Sequence, residues 1–95
     1  MNVMQIYFRD NFKDMVVDCL LESEFDNFYY FDCKQYNTKN LTSAKERVTG
    51  RIDYGKIELL VESREKEQLE RLANKLYAMF GKEDLRIYLG DLKAK

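Results

Sequence analysis

NTKNLTSAKERVTGRIDYGK, residues 37–56, is the seam from which this fold can be read. Aromatic and aliphatic runs flank it on both sides, and its twenty residues are too many for a hairpin turn. In a small domain a connection of this length is usually functional or disordered. The positive charge also gathers here. Residues 34–56 hold Lys34, Lys39, Lys45, Arg47, Arg51 and Lys56 against Glu46 and Asp53, so this part carries +4 and the remainder −5 within a net charge of −1.

Upstream, residues 25–36 (FDNFYYFDCKQY) are dense in Tyr and Phe, and the unbroken apolar run 28–31 fails a helical period. That composition predicts a strand, with Phe28 and Tyr30 on one face and Tyr29, Phe31 and Cys33 on the other. Downstream, residues 54–62 (YGKIELLVE) alternate Ile57, Leu59 and Val61 against Glu58, Leu60 and Glu62, which predicts the next strand. Inside the seam, LTSAKERV predicts a helical turn or two capped by Thr42 or Ser43. Gly50 and Gly55 punctuate its end.

Further out lie two helices and two strands. Phe12, Met15, Val16, Cys19 and Leu20 recur at helical spacing and predict a helix over 11–23, with Asp10 or Asn11 as N-cap and Asp14, Asp18 and Glu22 on a solvated face. Leu69, Leu72, Ala73, Leu76, Tyr77 and Phe80 predict a second over 64–80. Ser63 is its expected cap, Glu65 and Glu67 favour its first turn, and Gly81 sits where a terminating glycine belongs. Residues 3–8 (VMQIYF) and 85–89 (LRIYL) read as outer strands, and the tail after Leu89 is polar. The order is βαββαβ, the ferredoxin-like α+β arrangement: a four-stranded antiparallel sheet with two helices on one face, in a single domain over residues 1–95.

Helices cover only one side of such a sheet, and the other side is expected to be polar in a monomer. Here neither alternate set is cleanly polar. Val3 and Tyr7 oppose Met4, Ile6 and Phe8; strand two is aromatic on both sides; Leu60 and Tyr88 oppose the core set of their strands. An apolar second face of that size predicts a homo-oligomer, with the open face or the edge of strand two buried between subunits. The alternative is a sheet whose exposed face simply carries tyrosines.

Composition removes several function classes. The chain has no histidine, hence neither the commonest general base nor the commonest transition-metal ligand. Cys19 and Cys33, with thirteen residues between them, match no zinc spacing and read as small buried hydrophobes in a reducing compartment. Glu22, Glu24 and Asp26 form an acidic corner without a calcium-loop glycine. Catalytic residues, metal ligands and cofactors are therefore not expected. No apolar run is long enough for membrane insertion, and MNVMQIYFRD lacks the basic start of a signal peptide, which predicts a cytoplasmic protein. An acidic chain without an RNP-type pattern predicts no nucleic-acid partner. What remains is the basic seam. Arg47 and Arg51 offer planar forks, Lys45 a point charge and Gly50 close backbone approach, a set suited to a small anionic ligand or an acidic protein surface. The competing reading is a solvated loop.

Leu41-Thr42-Ser43, Lys45-Glu46-Arg47 and Val48-Thr49-Gly50-Arg51 carry a resemblance. With the element order they resemble the PII-like superfamily, and most closely a small PII-like family of unassigned function. The resemblance spans the whole chain in layout. It implies a trimer, a non-enzymatic regulatory or sensor module acting through the long loop, a ligand or partner at the subunit boundary, and a link to heavy-metal efflux or transport. The rival reading is a purely structural interaction module without a small-molecule ligand. Residues 49–57 (TGRIDYGKI) are similar to the nucleotide-contacting loop of PII proteins, but there the pattern follows the second helix. The matching place here is Gly81-Lys82-Glu83-Asp84, which is short and acidic, so ATP binding is not carried over.

Overall fold

Alternation along four strands fixes which side chains meet the helices. The computed structural model, which describes residues 1–36, 43–93 and 95, realises that pattern. In chain order it comprises β1 (Asn2–Arg9), a 3-10 turn (Asp10–Phe12), α1 (Lys13–Glu22), β2 (Tyr29–Tyr36), α2 (Ala44–Thr49), β3 (Arg51–Val61), a 3-10 turn (Ser63–Glu65), α3 (Lys66–Asp84) and β4 (Leu85–Asp91). The sheet order is β2-β3-β1-β4 and every pairing is antiparallel. This is the ferredoxin-like α+β fold, with α2 as an extra helix in the connection from β2 to β3.

The register brings Ile6 beside both Ile57 and Ile87, and Met4 beside Leu59 and Leu89. Met4, Ile6, Phe8, Ile57, Leu59 and Leu85 form the sheet side of the core. Val16, Cys19 and Leu20 of α1 and Leu69, Leu72, Ala73 and Leu76 of α3 form the helix side. Fully burying one such aliphatic side chain is worth about 1.5–3 kcal/mol. Phe8 is fully buried because its neighbour across the ladder is Gly55: a Cβ there would stand 2.6 Å from Phe8 Cε2. On the outer edge, the Ile87 N–H donates to the Tyr77 hydroxyl at 2.8 Å, so α3 satisfies a donor of the edge strand.

Local expectations shift where tertiary pairing outweighs them. β3 begins at Arg51, not at 54, because Arg51, Ile52 and Asp53 pair with Tyr36, Gln35 and Lys34, and Lys34 and Asp53 form an ion pair. β2 begins at Tyr29, while Phe25 and Phe28 pack against the core ahead of it. Neither Asp10 nor Asn11 caps α1; both lie in a 3-10 turn, and Asp10 Oδ1 lies 3.2 Å from the Tyr30 hydroxyl. Met15 is 54% exposed, since α1 turns Val16, Cys19 and Leu20 inward and leaves Met15 on its flank. Ser63 opens a 3-10 turn rather than capping α3; Gly81 does end the regular helix as expected, with φ 78° and ψ 168°, and a short helical turn follows it to Asp84. Cys33 is only half-buried; both thiols are free. No helix among the described residues is long and apolar enough to cross a membrane.

Candidate functional site

The second half of the seam is folded. Ser43 is extended and its Oγ accepts the Glu46 N–H at 3.1 Å, the N-cap interaction. Backbone bonds from Arg47 N to Ser43 O (3.1 Å) and from Gly50 N to Glu46 O (2.7 Å) complete two turns. Gly50 closes the helix in the left-handed region (φ 70°), where a side chain would be strained. Glu46 then reaches out of the helix. Its carboxylate accepts from Arg9 Nη1 at 3.1 and 3.2 Å, with both side chains mostly buried. Arg9 ends β1 on the face away from α1 and α3. Ile52, on the same face of β3, is 1% exposed. Thus α2 lies against one end of the open sheet face.

Of the sequence-predicted site residues, Arg47 is exposed on α2, Gly50 is the helix stop, and Arg51 is exposed at the first position of β3. The backbone of Lys45 is in the first turn of α2, and its side chain lies outside the described residues, as do Thr42 and the rest of 37–42. The structure brings Arg47 and Arg51 to the two sides of Gly50. It also places Arg51 where its charge opposes that of Lys34, whose pKa is nonetheless raised, chiefly by the hydrogen bond to Asp53.

The open face carries charge as well as the apolar groups its sequence pattern predicts. It contains a shallow depression of about 610 Å³ lined by Tyr7, Cys33, Tyr54, Lys56, Arg86 and Tyr88 with Lys34 and Gln35 at its border. Lys56 is the centre of this surface. Its Nζ lies 5.6 Å from the ring centroids of both Tyr7 and Phe31 and 3.0 Å from Glu58 Oε2. Gln5 Nε2 donates to the same Glu58 oxygen at 3.1 Å. These contacts hold the Lys56 ammonium above its usual pKa, first through Glu58, and Glu58 below the usual carboxylate range, first through Lys56. Burial raises the Cys33 thiol and the Tyr54 phenol, so both stay protonated at neutral pH. Tyr7 and Tyr88 meet edge-on at 5.9 Å. Around them Tyr29, Phe31, Leu60 and Tyr88 are each 40–60% exposed. Strand alternation puts Lys56 on one face with Tyr54 and Glu58; that Arg86 and Tyr7 flank it depends on strand order.

The geometry defines a ferredoxin-like fold with an apolar and cationic open face and a short basic helix at its rim. The family model "Protein of unknown function (DUF3240)" matches residues 1–94, and the chain belongs to that family. No curated protein matches it. Among solved structures, CPII, a nitrogen regulatory PII-like protein from Thiomonas intermedia K12 whose structure holds ADP, AMP and bicarbonate, superposes with TM-score 0.72 at 10% identity, over 99% of this chain and 91% of that one. A DUF3240 family protein from Shewanella baltica OS155 superposes with TM-score 0.70 at 15% identity, over the same shares of the two chains.

Proposed function

We propose that this protein is a non-enzymatic, cytoplasmic PII-like regulatory module. It assembles as a trimer through the open sheet face and presents Lys45, Arg47, Gly50 and Arg51 to a partner protein or a small anionic ligand at the subunit boundary. The observation that supports it most is the placement of α2. The Glu46–Arg9 pair sets the basic helix at the rim of an apolar face, which is where a subunit boundary would run. The fold neighbour CPII was solved with ADP, AMP and bicarbonate, all anions, and Arg47 and Arg51 are the groups here suited to that charge. The partner we propose is a heavy-metal efflux or other transport component, as the PII-like resemblance implies.

A different observation favours the second reading, an interaction module without a small ligand. Arg51, Ile52 and Asp53 are committed to the β2–β3 ladder, so within TGRIDYGK the stretch from Arg51 onward is strand rather than phosphate-binding loop. Calorimetry with ADP, AMP and bicarbonate separates the two. The sensor reading expects saturable binding to at least one, weakened severalfold by Arg47→Ala with Arg51→Ala. Absence of binding to all three leaves the interaction module. Binding that is unchanged in the double variant removes the seam from the site.

A further inference from the structure

At the end of the sheet opposite α2, β1 begins, β4 ends, and the first turns of α3 pass over both. Asn2, Val3, Lys66, Leu69, Leu89 and Asp91 border a cavity of about 170 Å³ there. Asn2 is 6% exposed, and its Nδ2 has no hydrogen-bond partner among the described residues. By strand alternation it lies on the helix side, directly across the ladder from Val61 and Asp91. Buried polar groups without partners are rare, and each needs an explanation such as a bound water or another bound group. A water needs only about 10–15 Å³ of such space, so this cavity takes a molecule of several heavy atoms.

The lining defines its chemistry. Asn2 supplies an unused donor at the wall and Lys66 a cation, at the start of a long helix whose dipole also favours negative charge. Leu69 and Leu89 supply apolar surface, and Asp91 supplies a carboxylate beside Asn2. Lys66, Leu89 and Asp91 are exposed and form the mouth. We propose that this cavity binds a small aliphatic α-amino acid. Its carboxylate meets Asn2 Nδ2 and Lys66, its side chain lies on Leu69 and Leu89, and its ammonium faces Asp91.

The test is titration of L-valine into the isotope-labelled protein, following the Asn2 side-chain amide and the Leu69 and Gly90 backbone signals by NMR. Isovalerate, which lacks only the amine, and isobutylamine, which lacks only the carboxylate, run in parallel. L-valine is expected to move these signals saturably at millimolar concentration, isovalerate more weakly and isobutylamine not at all. Asn2→Leu should abolish the response. Lys66→Gln, at an exposed position that leaves the core intact, should weaken it severalfold, and Asp91→Asn should erase the preference for valine over isovalerate. An Asn2 amide unmoved by all three compounds assigns the cavity to water and overturns the proposal. So does an equal response to isobutylamine, or isovalerate binding as tightly as L-valine.

Discussion

Phe8 crosses over β3 because residue 55 has no side chain. Gly55→Ala places a methyl carbon 2.6 Å from the ring edge, and Tyr30 closes the other side at 3.0 Å. Overpacking of this kind costs about 1–3 kcal/mol. In a domain of this size it lowers the melting midpoint by about 4–8 °C per kcal/mol, which thermal denaturation followed by circular dichroism measures directly. An unchanged midpoint would show that the Phe8 ring has room to withdraw. Lys56 and Glu58 give the residue scale its pH dependence. Glu58 titrates below its ordinary 4.5 in the folded chain, so its contribution is present above that pH and is lost as pH falls through the folded value. Lys56 titrates above its ordinary 10.5, so its contribution is present below that pH and is lost as pH rises further. Glu58→Gln is expected to flatten the acid limb of the stability curve below about pH 4.5, read from urea midpoints across pH. A limb as steep as before would assign it to other carboxylates.

Among the elements, α2 depends most on contacts outside itself, since two turns of helix are not stable alone. Removing the cap with Ser43→Ala is expected to cost about 1 kcal/mol. Glu46→Ala leaves Arg9 without this partner in a mostly buried place and is expected to cost about 1–3 kcal/mol. Faster hydrogen exchange at the Arg47 and Gly50 amides, with unchanged exchange in β1, would locate both losses in α2; slow exchange in the variants would mean that Ile52 packing alone holds it. This element also shows what the sequence could reveal. Ser43 and Gly50 are local signals, a short side-chain acceptor before the first turn and a glycine after the last, and both were legible. The alternation in β1 and β3 and the 3.6-residue period in α3 were legible for the same reason: periodicity is written in neighbouring residues. Arg9 and Glu46 are 37 residues apart, and nothing local marks them as a pair. Likewise the start of β3 is set by Tyr36, Gln35 and Lys34 across the ladder, so composition placed it three residues late. Met15 fell on the flank because the apolar stripe of α1 is wider than the surface it packs against. At the site, the basic residues were legible but not their setting, because the depression around Lys56 draws on all four strands.

At the scale of the molecule the question is what covers the open face. α1 and α3 bury the other side completely at its centre, where Met4, Ile6 and Phe8 are 0% exposed. On the open side Tyr29, Phe31, Leu60 and Tyr88 stay in solvent around the Lys56–Glu58 pair. Stable protein interfaces bury about 1,200–2,000 Å² in total, with aromatic residues enriched at their centre and a polar rim. This face has the aromatic centre, and α2 with Arg47 at one end contributes to the rim. Phe31→Glu combined with Leu60→Glu puts two carboxylates on it. Phe31 is 45% and Leu60 40% exposed, so neither substitution opens the core and the far-ultraviolet spectrum should be unchanged. Buried against a second copy, the same carboxylates would be unpaired charges, which interfaces do not tolerate. Light scattering is therefore expected to report a trimer for the parent chain and the 11.4 kDa monomer for the double variant. A parent chain that is already monomeric rejects the assembly outright. A double variant that remains trimeric moves the contact off this face to another surface, with the edge of β2 as the next place to test, because the sheet ends there.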